Sequence, residues 1–169
     1  MVTFSNGGPG AFGLNGSLAQ SGNIFVAYRE SRLNLWNSMN DLDFLQGFHD
    51  GSLPPAEFRH RGHIRLAWLV ISRHGFEEAR SLVSSGIRQY ALSKGAVSMY
   101  HETLTQFWVR LVNHAIQTGP SVPSFEEFLE SFPMLLSKEL PSYHWRPETL
   151  GSNSARAGWI GPDLLDLPF

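Results

Sequence analysis

The sequence predicts an all-α protein: a compact bundle of about five helices with a flexible Gly-rich N-terminal arm and a Pro-rich C-terminal wrap. Three observations predict this fold class. Apolar residues recur at three- and four-residue spacing through the middle of the chain, which is the period of a helix buried on one side. Proline and glycine stand at the ends of these segments, where helices begin and end. The 12 Phe and 5 Trp in 169 residues supply enough apolar area for one core.

The N-terminal part of the chain predicts an arm followed by a first helix. Residues 1–23 are rich in Gly, Ser and Asn and have no apolar period. We therefore expect a flexible arm ahead of a single helical domain at 24–169. A helix is predicted over 33–48, because apolar residues share one face there. These residues are Leu35, Met39, Leu42, Leu45 and Phe48.

Three longer helices are predicted next. Residues 56–74 follow a Pro-Pro pair and are apolar nearly all round in their middle, so this helix is expected at the centre of the bundle. Residues 76–93 begin with acidic side chains and end at a Lys-Gly pair, and both features suit the helix dipole. Residues 98–118 carry an apolar stripe that begins at His101 and ends before a Gly-Pro pair.

The C-terminal third of the chain predicts short elements. Ser124 and Glu127 fit a capping box, which opens a short helix that ends near Phe132. Only short helical turns fit among the prolines that follow, Pro133, Pro141 and Pro147. The final segment, 158–169, is expected to be extended and packed on the bundle.

Composition excludes several classes of protein. The formal net charge is -2 and there is no block of Lys and Arg, so the chain lacks the basic face that nucleic-acid binding needs. The absence of Cys excludes disulfides, thiolate metal sites and a Cys nucleophile. No apolar run approaches the ~18 residues of a membrane-spanning helix, and the first residues lack a signal-peptide pattern. We expect a soluble, cytoplasmic protein that acts on a small molecule. Composition makes no prediction of an oligomeric state.

Three histidines are the most informative side chains. His60 and His63 are three residues apart and therefore share one face of the 56–74 helix. His101 heads the buried stripe of the 98–118 helix. The connections between the three long helices are short, which favours antiparallel neighbours. The first and third of these helices then run parallel, and the three imidazoles are expected at the same end of the bundle.

This arrangement predicts a metal site. The partial positive charge of a helix N-terminus lowers a histidine's pKa, and neutral imidazole is the form that binds a metal. Three imidazoles with one open position describe a catalytic site for a divalent first-row ion, with iron, zinc and copper all compatible. The leading hypothesis is therefore a small metal-dependent enzyme, a lyase, hydrolase or oxygenase, with His60, His63 and His101 as ligands.

The neighbouring side chains extend this hypothesis. His101, Glu102 and Tyr100 are the candidate catalytic residues, because they combine a base, a carboxylate and a phenol in one block. Trp68 and Trp108 lie on the helices that carry the histidines and are candidates for an apolar substrate pocket. Thr105 is one turn beyond His101 and is expected to contribute to the same pocket. Arg65 is a candidate for clamping an anionic substrate.

Two alternatives remain open at this stage. In the first, the chain is a metal-free lyase, isomerase or cyclase in which His101 or His63 is the general base and Glu102 or Tyr100 is its partner. In the second, the chain is a non-catalytic module that binds a small molecule or a protein, and its histidines only satisfy buried polar groups. Gly-x-Ser-x-Gly and His-Glu-x-x-His do not occur, which argues against hydrolase elbows and zincin proteases. Glu-x-x-His occurs once, at 57–60, whereas a ferritin-like di-iron bundle needs two such motifs.

Three blocks of the chain form a recognisable set. They read His-x-x-His-hydrophobic-Arg-x-Ala-Trp at 60–68, Tyr-His-Glu-Thr-hydrophobic-Thr at 100–105 and Ser-x-x-Ala-Arg-x-x-Trp at 152–159, followed by Pro-Asp-Leu at 162–164. In these blocks the chain resembles a family of uncharacterised small proteins from bacteria and fungi, over about two-thirds of its length. The resemblance implies the boundaries of the motifs and leaves residues 1–23 outside the shared part. It implies no particular reaction.

Overall fold

The fold class predicted from the sequence is confirmed. The structure, a computed structural model, describes residues 39–169, and residues 40–169 form one compact unit. Within the described residues there are seven α-helices, three 3-10 turns and no strand. The predicted arm at 1–23, the predicted start of the domain at 24 and helical residues 33–38 all lie outside the described part. No helix from residue 39 onward has the length and apolar character needed to cross a membrane.

The seven helices are numbered in chain order. They are α1 Asp41–His49, α2 His60–His74, α3 Phe76–Ser93, α4 Glu102–Thr118, α5 Phe125–Ser131, α6 Pro147–Gly151 and α7 Asn153–Ala157. The 3-10 turns are Val97–Met99, Pro133–Leu136 and Leu140–Tyr143.

The three long helices α2, α3 and α4 form the centre of the unit, and each contacts the other two. A single residue, Gly75, connects α2 to α3, and it caps both helices with a φ of 76°. A φ in this region is favourable only for glycine, so the tight connection depends on this residue type. The predicted bounds of α3, 76–93, agree with the structure.

The start of α1 differs from the prediction. The helix begins at Asp41, whereas the apolar spacing predicted continuous helix through residues 39 and 40. The Asn40 side chain accepts a hydrogen bond from the Asp43 backbone N–H at 2.8 Å, and the Asn40 backbone is extended. An Asn at the N-cap position satisfies a helix donor that would otherwise be free, so it fixes the start of the helix there.

Helix α2 also begins later than predicted, at His60 rather than residue 56. Residues 54–57 form a turn that the hydrogen bond from Glu57 N–H to Pro54 O closes at 2.9 Å, and a bend at residues 58 and 59 leads into the helix. The Glu57 carbonyl then lies against Gly62, where an added Cβ would stand 2.4 Å from that oxygen. The chain can fold back this closely because residue 62 has no side chain.

Helix α4 begins at Glu102, not at residue 98 as predicted. The 3-10 turn Val97–Met99 precedes it, and His101 is its N-cap, with an extended backbone at φ −147° and ψ 106°. The imidazole Nδ1 accepts the Leu104 N–H at 3.3 Å, which is the role that Ser or Asp usually plays. Apolar periodicity did not reveal a histidine cap, and the predicted helix was therefore too long.

The predictions for the C-terminal third are confirmed. Ser124 is the N-cap of α5, where its hydroxyl accepts the Glu127 N–H and donates to the Glu127 carboxylate. Three short elements have proline in their first turn, the 3-10 turns at 133–136 and 140–143 and helix α6. Pro fits there because the first turn of a helix needs no backbone donor.

The final segment, 158–169, contains no helix and is fastened to the bundle by buried side chains. The fully buried Trp145 donates its indole N–H to the carbonyls of Ile160 and Gly161. Thr103, also fully buried on α4, donates to Gly158 O at 2.7 Å and accepts the Ile160 N–H at 3.1 Å. One hydroxyl on α4 therefore satisfies two backbone groups of the wrap.

We expect Thr103→Val to destabilise the protein by about 1–3 kcal/mol, because the isosteric side chain leaves a buried carbonyl and a buried N–H unpaired. Urea denaturation measures the free energy of unfolding. Thr118→Val is the matched control, since the exposed Thr118 hydroxyl bonds only a carbonyl of its own helix, His114 O. Equal effects of the two variants would contradict the role assigned to Thr103.

Candidate functional site

The carboxylate of Glu102 is the centre of a polar network between α3 and α4. Its Oε1 accepts from Ser84 Oγ at 3.1 Å and from Gln106 Nε2 at 3.0 Å. Its Oε2 accepts from Arg88 Nη2 at 3.1 Å and from the Tyr100 hydroxyl. The Glu102 side chain is only 14% exposed. Four donors saturate the carboxylate, which is the condition under which a buried charge is tolerated.

The spacing of residues on the two helices creates this network. Arg80, Ser84 and Arg88 are four residues apart and therefore lie on one face of α3. Glu102 and Gln106 have the same spacing on α4. Ser84 and Arg88 bond Glu102, and Arg80 bonds Gln106, so the two faces meet in antiparallel order.

A cleft of about 550 Å³ opens beside this network. We call it the Glu102 cleft. Residues of α3, α4 and the C-terminal segment line it: Glu77, Arg80, Ser81, Ser84, Ser85, Arg88, Glu102, Gln106, Ala157, Gly158 and Trp159. One wall is thus formed by polar side chains of two helices, and another is formed by the wrap. Its size suits a small organic molecule.

The network holds its two ionisable groups in fixed protonation states at neutral pH. Burial raises the pKa of Glu102, but hydrogen bonds from Tyr100, Gln106 and Ser84 and the charge of Arg88 outweigh it and lower the pKa below its usual value. Burial and the bond to Glu102 raise the pKa of Tyr100. The carboxylate therefore stays ionised and the phenol stays protonated. They act as a fixed charge and a fixed donor.

His60 and His63 lie together at the start of α2, as predicted, but outside the Glu102 cleft. His60 Nε2 bonds the Leu135 carbonyl at 2.8 Å, and its ring meets the Trp108 indole edge-on at 4.5 Å. The His63 ring packs on Phe58 at 4.3 Å. Burial, with His60 nearby, lowers the pKa of His63 to about 4, so this ring is neutral at physiological pH.

His101 is engaged at both ring nitrogens. Nδ1 accepts the Leu104 N–H, which leaves Nε2 as the donor to the Leu150 carbonyl at 2.8 Å. A neutral imidazole in these two bonds has no lone pair left for a metal or a proton. The ring joins the start of α4 to the end of α6.

The structure does not bring the three predicted metal ligands together. Across residues 39–169 no three His, Asp or Glu side chains are grouped so that they could hold a metal ion. His60 and His63 are the pair with capacity left, because His60 uses one nitrogen and the structure records no hydrogen bond from the His63 ring to any described residue. A metal bound by all three histidines would require His101 to release at least one of its two bonds.

The predicted pocket residues lie apart from the cleft. Trp68 packs on Phe125 and Phe128 of α5, and Trp108 packs on Phe107 and His60. Arg65 binds Asp41 at 2.6 Å and stacks on the Phe44 ring, so it connects α2 to α1. Thr105 lies on α4 and does not line the Glu102 cleft.

Sequence reasoning found Glu102 and Tyr100 but missed most of their partners. The missed residues are Arg80, Ser84, Arg88, Gln106 and Trp159. The signal was present in the polar residues of α3 and α4, which recur every four positions and face each other. Apolar spacing does not reveal these residues, because it predicts apolar side chains wherever two helices pack together.

Comparisons with known proteins give no further information. No family model, no curated protein and no solved structure matches this chain. The resemblance of the three sequence blocks to a bacterial and fungal family therefore stays a prediction. The proposals that follow depend on the geometry described above.

We expect His63 to make the protein less stable in acid. An unfolded histidine titrates near 6.5 and the folded ring near 4, so the unfolded state takes up the proton first. The contribution is fully present above pH 6.5 and is lost as pH falls towards 4, by roughly 2–3 kcal/mol. Urea denaturation at pH 7.5, 6.5, 5.5 and 4.5, with a chelator present, measures it.

His63→Gln should flatten this part of the pH profile, since glutamine does not titrate. His74→Gln is the control, because His74 is exposed on the same helix and should leave the profile unchanged. A wild-type profile that matches that of His63→Gln would contradict the prediction that the folded His63 ring has a lowered pKa.

Proposed function

We propose that the protein binds a small organic molecule in the Glu102 cleft. The observation that supports this most is the saturated carboxylate of Glu102, which holds four donor side chains in fixed positions at the edge of a cleft of about 550 Å³. A concave site of this size with a few preorganised polar groups is typical of a small-molecule site. Because the donors are already held in place, a ligand would not have to order them.

The lining indicates which parts of a ligand the cleft would contact. The two guanidinium groups of Arg80 and Arg88 would donate hydrogen bonds to polar or negatively charged atoms of the ligand. The indole of Trp159 offers an apolar wall for a flat hydrocarbon portion. The Ser81 hydroxyl on the same face of the cleft can donate or accept, whereas the Ser85 hydroxyl donates to Ser81 O and can only accept from a ligand.

Binding is favoured over acid–base chemistry in this cleft. No histidine is among its lining residues, and the pKa values of Glu102 and Tyr100 are shifted in opposite directions, away from neutral pH. General acid–base catalysis works best with a pKa near the working pH. The metal-free enzyme with a histidine base, predicted from the sequence as an alternative, therefore has less support than the binding protein.

Glu102→Gln tests the proposal, because an amide retains the volume but removes the charge. The amide NH2 would replace one carboxylate oxygen, so the side chains that donated to that oxygen would face a donor. We expect a loss of about 1–3 kcal/mol in the free energy of unfolding. A panel of fragment-sized acids, amides and alcohols, followed by the NMR signal of the Trp159 indole N–H, should bind wild-type protein and bind the variant more weakly.

Glu126→Gln is the matched control, since Glu126 forms an ion pair with Arg61 in which both side chains are well exposed. Such a pair contributes little, so both stability and binding should stay near wild type. If no member of the panel shifts the Trp159 signal, or if Glu102→Gln binds as tightly as wild type, the cleft is not the ligand site.

As a second candidate function we propose the metal-dependent enzyme predicted from the sequence, with His60 and His63 as the protein ligands of the ion. Two neutral imidazoles on one helix face, close enough for His60 to lower the pKa of His63, favour this proposal. The indole of Trp108 lies against His60 and would form one wall of the substrate site. Bound iron, zinc or copper would supply a Lewis acid or an activated water.

Metal content of reconstituted protein tests this second candidate. We expect chelator-treated wild type to recover close to one zinc, iron or copper ion per chain, and His60→Ala/His63→Ala to recover none. His101→Ala should retain the ion, because both nitrogens of that ring are engaged elsewhere. Loss of metal in a folded His101→Ala variant would favour the original three-histidine site, and no uptake by wild type would end the metal proposal.

A further inference from the structure

Arg110 on α4 carries a partly buried guanidinium that lacks an acceptor. Its Nε is buried without a hydrogen-bond partner, and within the described residues no carboxylate or carbonyl bonds any of its nitrogens. Within residues 39–169 the guanidinium stacks on the Trp159 ring, whose centroid lies 4.6 Å from the guanidinium carbon. Desolvating a cation without a counter-charge is unfavourable, so an unpaired arginine of this kind calls for an anion.

The charges around Arg110 make a bound anion more favourable still. Arg80 bonds Gln106, which lies one turn before Arg110 on α4, so both arginines lie near this part of α4. Burial and the charge of Arg80 both lower the pKa of Arg110. Arg80 gives Nε to Gln106 and Nη1 to Glu77, both at 3.3 Å, and these bonds leave its Nη2 free. Glu77 is 81% exposed, so water rather than protein solvates most of its charge. It is a weak counter-ion for two arginines.

From these contacts we infer that Arg80 and Arg110 form an anion subsite at the edge of the Glu102 cleft, beside Trp159, which binds the carboxylate of a small organic acid. The inference depends on the proposed function and specifies its ligand class. The planar fork of a guanidinium matches a carboxylate in geometry and charge. Trp159 stacks on Arg110 and lines the cleft, so the apolar part of the acid would lie against the indole.

A singly charged anion fits better than a doubly charged one. The carboxylates of Glu77 and Glu102 line the cleft together with Arg80, while Arg110 is not a lining residue but stacks on the lining residue Trp159. The four donors around Glu102 are already committed to it, so its charge is compensated but remains close. A phosphate dianion would meet more repulsion from these two carboxylates than a carboxylate monoanion would.

Titration of the full chain with three aromatic probes tests the inference. The probes are benzoate, the neutral benzamide and the dianionic phenyl phosphate, and the readout is the Trp159 indole N–H signal, assigned with Trp159→Phe. We expect benzoate to bind about tenfold or more tightly than benzamide. Phenyl phosphate should bind more weakly than benzoate.

Two variants locate the effect. Arg110→Gln should weaken benzoate binding by about tenfold or more and leave benzamide binding unchanged. Its melting temperature should stay within about 5 °C of wild type, because the substitution removes no hydrogen bond. Arg73→Gln is the control, since Arg73 is exposed on α2, outside the cleft, and should change neither affinity.

Equal binding of benzoate and benzamide, or unchanged benzoate binding in Arg110→Gln, would overturn the anion subsite while leaving the cleft proposal intact. Tighter binding of phenyl phosphate than of benzoate would overturn the assignment to a carboxylate. No shift of the Trp159 signal with any probe would overturn the inference. The cleft proposal is tested separately, by the wider fragment panel and by Glu102→Gln.

Discussion

The saturated carboxylate of Glu102 is the constraint on which the centre of this bundle depends. A charge that is only 14% exposed is costly unless donors surround it, and here four side chains supply them. Two of the donors, Ser84 and Arg88, come from α3, so the network fixes how α3 and α4 lie against each other. An apolar interface would tolerate sliding between the helices, whereas this network is satisfied only in one register.

Hydrogen bonds from buried side chains also determine the path of the C-terminal segment. Thr103 follows Glu102 directly on α4, and its hydroxyl binds Gly158 and Ile160. The Trp145 indole N–H donates to the carbonyls of Ile160 and Gly161, and the Trp145 ring contacts the Trp159 ring edge-on, with centroids 5.7 Å apart. Adjacent residues of one helix turn therefore organise the polar wall of the cleft and the wrap that closes it.

The sequence was a good guide to the elements and a partial guide to the site. Apolar period and the flanking glycines predicted α3 well, and the capping box predicted α5, because those signals act locally. The starts of α1 and α4 were missed because side-chain caps, Asn40 and His101, override the period. The same cap explains why the histidine cluster did not form as predicted. Whether an imidazole bonds a backbone N–H or faces a cavity depends on the neighbouring chain, and residues 100–105 alone do not encode that.

The contacts that complete the cleft also bear on the order of folding. Thr103 and Gly158 are 55 residues apart in sequence, whereas α2 and α3 are joined by a single residue. Closing a long loop costs more entropy than forming a short helical hairpin, so the hairpin is expected early and the wrap late. An intermediate with α2, α3 and α4 in place would have the arginine and carboxylate face exposed to water, without the indole wall. Recognition of a ligand would then be a property of the completed fold alone, and a ligand present during folding would select the chains that had finished.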